Sequence, residues 1–81
     1  MDKDLSEKEL ELLRVLWAKG PAMPVELAVR TLSFPDEIQK PLQTLRQKGL
    51  IEVQQVSRGT MGGELITLSA KGRDVLRREG P

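Results

Sequence analysis

The sequence predicts an α+β domain with the element order helix, helix, helix, β-hairpin, helix. Three observations predict it. Up to Gly49 the apolar residues recur at helical spacing and are cut into three segments by Gly20-Pro21 and by Ser33-Phe34-Pro35. From Leu50 to Leu68 two runs rich in β-branched residues flank a glycine-containing stretch, the pattern of a hairpin. After Ser69 the helical pattern returns. The 81 residues make a single domain, 1–81, with an ordered core expected over about 5–78, because a chain this short buries only roughly 60% of its unfolded surface.

Each element has its own punctuation. Ser6 and Glu9 stand at capping-box spacing, and Leu5 and Leu10 at the positions of a hydrophobic staple, so the first helix begins at Glu7. Leu10, Leu13 and Trp17, widened by Leu12 and Leu16, form its apolar stripe. Trp17 is therefore expected in the core, and Gly20 after the last turn. Pro24 opens a second helix through Val25, Leu27, Ala28 and Leu32, and Ser33-Phe34 is the turn. Pro35 opens a third helix with Ile38, Leu42 and Leu45 at i, i+4 and i+7, ended by Gly49. Pro41 inside it removes a hydrogen bond to the Glu37 carbonyl, so a kinked or late-starting helix is expected. Leu50 to Val56 and Glu64 to Leu68 read as strands, joined by a flexible seven-residue tip containing Gly59, Gly62 and Gly63. Ser69 caps a last helix from Ala70 to about Glu79, with Val75 and Leu76 inward and Arg73, Arg77 and Arg78 outward.

Composition narrows function before any motif is considered. Cysteine and histidine are both absent, which removes disulfides, thiolate and imidazole metal ligands, a Cys nucleophile and a His general base. The carboxylates, serines and lysines form no recognisable catalytic arrangement, so no enzyme and no cofactor are expected. With 38% hydrophobic and 31% charged residues the chain has the balance of a soluble globular domain. Its longest apolar run, Val15 to Ala18, is far short of the roughly 20 residues that span a bilayer, and no signal-like apolar region follows Met1, so a cytoplasmic protein is expected. Net charge is +1, but the distribution is uneven. Five basic and eight acidic residues precede Ile38, and eight basic and four acidic residues lie from Ile38 onward. A dipolar domain of this kind is able to offer one face to phosphate.

Three stretches carry a family resemblance. Leu5-Ser6 through Leu16-Trp17 to Gly20-Pro21 and Glu26-Leu27-Ala28 resembles the opening of penicillinase-repressor-type winged helices. The run Ile38-x-Lys40-x-Leu42-x-x-Leu45-x-x-x-Gly49-Leu50-Ile51 is similar to the recognition-helix signature of MarR-like regulators, which usually carry Arg or Lys where Lys40 stands. Leu68-Ser69-Ala70-Lys71-Gly72 resembles the L-T-x-x-G that leads many of those domains into their last helix. PadR-like winged helices carry a proline one position earlier than Pro41. The resemblance implies a winged helix-turn-helix that binds double-stranded DNA, with the third helix in the major groove and the hairpin wing on the backbone or minor groove, often as a homodimer.

The candidate reading face follows from the helical wheel. Opposite Ile38, Leu42 and Leu45 lie Asp36, Lys40, Gln43 and Gln47, with Gln39 and Thr44 on the shoulders. Glutamine reads adenine bidentately, and lysine approaches guanine or phosphate. A solvated helix face is the bland alternative, with Asp36 and Lys40 spaced for an i,i+4 ion pair. In the tip, Arg58 is the candidate phosphate or minor-groove contact and Thr60 a hydroxyl donor. Arg46, Lys48, Arg73, Arg77 and Arg78 either add phosphate contacts or serve solubility. The acidic first turn of the third helix, Asp36-Glu37, and the near-neutral net charge favour a competing role, a winged-helix module that docks on a protein partner. A dimer is expected to use the first helix, the last helix or both, through Leu12 and Leu76.

Overall fold

The structure, a computed structural model, describes residues 5–58 and 61–79, with the side chains of residues 58, 61 and 62 excepted. Helix α1 spans Glu7–Lys19, α2 Pro24–Arg30 and α3 Pro35–Gln47. Strands β1 (Ile51–Arg58) and β2 (Met61–Leu68) precede helix α4 (Ala70–Glu79). The architecture is the α+β winged helix-turn-helix that the sequence predicts: three helices, a two-stranded antiparallel wing and a closing helix.

Local chemistry sets the helix starts. The Ser6 hydroxyl accepts from the Glu9 amide at 3.2 Å while the Ser6 amide donates to the Glu9 carboxylate at 3.0 Å, closing the expected capping box. Gly20 ends α1 at φ 87°, a conformation that costs glycine little. At α4 the Ser69 hydroxyl accepts from the Gly72 amide at 3.0 Å and donates to the Gly49 carbonyl at 2.7 Å, so one side chain caps α4 and ties it to the residue after α3.

One core joins all six elements. Leu12, Leu13 and Leu16 from α1, Leu27 and Ala28 from α2, and Ile38 and Leu45 from α3 meet Leu50, Ile51 and Ile66 of the hairpin and Val75 and Leu76 of α4. The wing is anchored at its inner end: Ala22 exchanges both backbone hydrogen bonds with Ile66, at 3.0 and 2.8 Å, adding a short third rung to the sheet.

Five expectations are corrected. Trp17 is about half exposed, because the buried face of α1 is centred on Leu12, Leu13 and Leu16, and the residue after Leu16 turns about 100° away from it. Helix α2 ends at Arg30, and Leu32 stands outside it at φ 53°, almost fully exposed. Helix α3 starts at Pro35 and runs through Pro41 without a late start. The strands extend to Arg58 and Met61, which pair, so most of the predicted seven-residue tip is ladder; Gly59 and Thr60 lie outside the described residues. Leu12 and Leu76 are buried in this chain's own core and are not spare apolar surface for a dimer. Among the described residues no helix is long and apolar enough to cross a membrane.

Candidate nucleic-acid interface

The α2–α3 corner is fixed by a polar network built on two small hydroxyl residues. The Thr31 hydroxyl donates to the Leu27 carbonyl at 2.7 Å and contacts the Ser33 hydroxyl at 3.0 Å, while the Ser33 amide reaches back to the Ala28 carbonyl at 2.8 Å. Lys8 of α1 donates to the Ser33 hydroxyl at 2.7 Å, bringing a third helix to the corner. Such a corner holds the second helix of the pair at a set angle, which a reading helix requires.

The first turn of α3 is acidic for a structural reason. The Phe34 amide donates to the Glu37 carboxylate at 2.7 Å, so Glu37 caps the helix and its charge lies at the positive end of the helix dipole. Asp36 is exposed, and the expected Asp36–Lys40 ion pair does not form: the two salt bridges among the described residues are Lys8–Glu11 and Arg77–Asp74, at 3.2 and 2.8 Å. The Lys40 ammonium is left to solvent.

Gln39, Lys40, Gln43 and Gln47 are all exposed, and their side chains make no hydrogen bond or ion pair with any described residue. Thr44, the other shoulder residue, is half-buried. The structure divides this set. Gln39 and Gln43 line an open groove between α3 and the wing, together with Leu42, Val53, Ile66 and Pro24. Lys40 and Gln47 are not among its lining residues and occupy the adjoining solvent face of α3. The groove also brings in Arg46, which sequence reasoning left among general surface cations. Its i, i+4, i+7 relation to Gln39 and Gln43 is the signal that places it there. Glu64 lies opposite on β2 and accepts from the Gln55 side chain at 3.4 Å.

The wing contributes Arg58, whose backbone pairs with Met61 at the outer end of the ladder; its side chain, like Thr60, lies outside the described residues. Around the base of α4, Lys71 donates to the Lys48 carbonyl at 3.1 Å and Arg73 to the Leu68 carbonyl at 3.0 Å, so each cation satisfies a backbone acceptor near the end of an element. Arg77 pairs with Asp74. These bonds give structural work to Lys71 and to two basic residues that the sequence left undecided, Arg73 and Arg77.

No family model matches the chain, and no curated protein matches it by sequence. Solved structures do match by fold. The zinc-responsive MarR family member ZitR of Lactococcus lactis superposes with a TM-score of 0.83 at 19% identity, over 98% of this chain and 54% of its own. BpsR of Bordetella bronchiseptica, whose DNA binding is regulated by 6-hydroxynicotinic acid, gives 0.81 at 19% identity, over 95% and 53%. The transcriptional regulator BldR of Sulfolobus solfataricus gives 0.81 at 25% identity, over 94% and 53%. The fold is that of the MarR-like winged helix-turn-helix. The chain spans about half the length of these relatives in structure.

Proposed function

We propose that this chain is the DNA-binding unit of a transcriptional regulator, non-enzymatic, with α3 in the major groove of double-stranded DNA and the wing along the neighbouring backbone. One observation carries the reading: Gln39, Lys40, Gln43 and Gln47 form an exposed row of amide and ammonium groups on the second helix of a helix-turn-helix, with no partner among the described residues. Unpaired amides of this kind suit the N6 and N7 edge of adenine, and lysine suits guanine or phosphate. Arg46 extends the row toward the wing, whose Arg58 and Thr60 are the candidate backbone contacts, and Thr44 is on the far shoulder of α3. Among the fold relatives BldR is named a transcriptional regulator and DNA binding is named for BpsR, which supports the same role here.

Two limits follow from the chain's chemistry. The zinc response named for ZitR is not carried over, since these residues include no His or Cys. The acidic first turn, which favoured a protein-docking module on sequence grounds, is accounted for in part by the Glu37 cap.

The test is fluorescence anisotropy of the chain against a mixed pool of duplexes, from about 50 to 200 mM salt. Each phosphate neutralised contributes about −0.9 to the slope of log affinity against log salt. Arg58→Ala is expected to flatten that slope by about one unit, and Gln43→Ala to leave the slope unchanged while relaxing sequence preference. Binding that is absent at low salt, or indifferent to Lys40→Ala, Arg46→Ala and Arg58→Ala alike, refutes the reading.

A further inference from the structure

Two exposed side chains at the N-terminal end of α3 have no role inside the chain. Phe34, the N-cap residue, is 76% exposed. Its backbone is nonetheless fixed: the amide donates to the Glu37 carboxylate at 2.7 Å, the carbonyl accepts from the Glu37 amide at 2.9 Å, and Pro35 follows directly. A large aromatic ring is thus presented to water on a rigid stem, at a position where a small polar residue would cap the helix better. Asp36 lies two residues on, exposed on the same side of the helix as Lys40 and Gln43, which follow it at i+4 and i+7. Its carboxylate makes no hydrogen bond or ion pair with a described residue. Glu37 caps the helix, and Asp36 does not.

We infer that this end of α3 reads pyrimidine edges in the major groove, with Phe34 against the C5-methyl group of a thymine and Asp36 accepting from the N4 amino group of a neighbouring cytosine. The inference rests on the docking of α3 proposed above and names the kind of site it takes. In helix-turn-helix docking the N-terminal residues of the second helix meet base edges. Charge selects base edges over backbone here, because an ionised carboxylate only accepts hydrogen bonds and phosphate both lacks a donor and repels it. Guanine and thymine show Asp36 no donor in this groove. The adenine N6 amino group is flanked by acceptors on both sides, its own N7 and the O4 of its thymine, whereas the cytosine N4 amino group has one on one side only, the O6 of its guanine. Cytosine is therefore the preferred partner. For Phe34 the choice is simpler, since the thymine methyl is the one apolar group a base pair offers in the major groove, and covering it removes apolar surface of both partners from water. The fixed stem means that little conformational freedom is lost in the contact. The two Cα atoms are at most about 7 Å apart, the length of about two base steps, so the two bases are close neighbours.

The test is selection of bound duplexes from a pool with a randomised core by wild type, Phe34→Ala and Asp36→Ala, followed by competition measurements on the duplex that wild type enriches. Wild type is expected to enrich a thymine and a cytosine within about two steps of each other. Phe34→Ala should lose the preference at the thymine alone. Asp36→Ala should lose it at the cytosine alone, while binding the unselected pool at least as tightly as wild type, because a negative charge facing DNA has been removed. Replacing the thymine by deoxyuridine deletes only the methyl group. It should weaken wild type about fourfold, the effect of one uncovered methyl, and leave Phe34→Ala unaffected. A change in the DNA does not unfold the protein, so this arm holds whatever the substitutions do to stability. Wild-type affinity indifferent to deoxyuridine, or base preferences that survive both substitutions, overturns the inference and leaves the DNA reading standing. A chain that enriches no duplex overturns both.

Discussion

At Gly72 the sequence motif and the packing have one cause. Helix α4 crosses the hairpin base so closely that a β-carbon on residue 72 would meet the Leu50 carbonyl oxygen and the Leu68 Cδ1. The first of these is backbone in the core and does not move aside cheaply. We expect Gly72→Ala to destabilise the fold by about 2 kcal/mol or more, the range of overpacking in a dense interior. Urea denaturation would show it as a lower midpoint at unchanged slope; a midpoint equal to wild type would mean that α4 slides outward at little cost. In the sequence this glycine was visible as part of Leu68-Ser69-Ala70-Lys71-Gly72, but its reason was not, because Leu50 is remote along the chain. Trp17 is the opposite case. Its residue type argued for burial, and its angular position on α1, one residue past Leu16, outweighed type. Leu32 was misplaced because an apolar residue at i+7 from Val25 looks helical, while the chain leaves the helix at Arg30 through a left-handed turn.

Helix starts with local punctuation were legible to the residue, whereas the hairpin was legible as an element but not in its length. Ser6 with Glu9, Pro24, Pro35 and Ser69 mark their helix starts within a few residues of sequence, and all four starts fall where these residues place them. Strand length depends on the partner strand. Ser57, Gly62 and Gly63 looked like loop residues, yet Ser57 pairs with Gly62 and Val56 with Gly63, since the ladder, once nucleated by Ile51 and Ile66 in the core, carries poor strand formers with it. On α3 the wheel found the exposed row correctly but had no knowledge of the wing, so Arg46 stood apart from Gln39 and Gln43 until the hairpin supplied the far wall of the groove. Pro41 shows tertiary packing overriding propensity: Ile38 and Leu45 are buried on either side of it and hold the helix through the missing hydrogen bond. Pro41→Ala restores a donor to the Glu37 carbonyl. We expect it to stabilise the chain by on the order of 1–2 kcal/mol, after allowing for the stiffness that proline gives the unfolded state. A urea midpoint that fails to rise would mean that solvent already satisfies that carbonyl.

The molecule as a whole is a small core with a long projection. Its extents are 42 × 25 × 22 Å, and the wing is a two-stranded ribbon whose inner rungs, Ile51 with Leu68 and Val53 with Ile66, adjoin the core while Gln54, Gln55, Val56 and Ser57 are exposed. A two-stranded ribbon without a packed face is marginal in water. Stability must therefore fall along the wing. Native-state amide exchange is expected to show the amide of Ile66 exchanging only with global unfolding, and amides of the Val56–Gly63 and Ser57–Gly62 rungs exchanging through local fraying, at rates set by a much smaller opening free energy. The gradient makes the wing a reporter of where nucleic acid sits. Docking with α3 in the major groove and the wing on the backbone must slow exchange at the outer rungs, because a ribbon laid against DNA cannot fray without leaving it. The core amides should change only as far as ligand binding raises global stability. Protection that appears along Val25 to Arg30 while the outer rungs stay fast would put DNA on the α2 face and refute the docking mode.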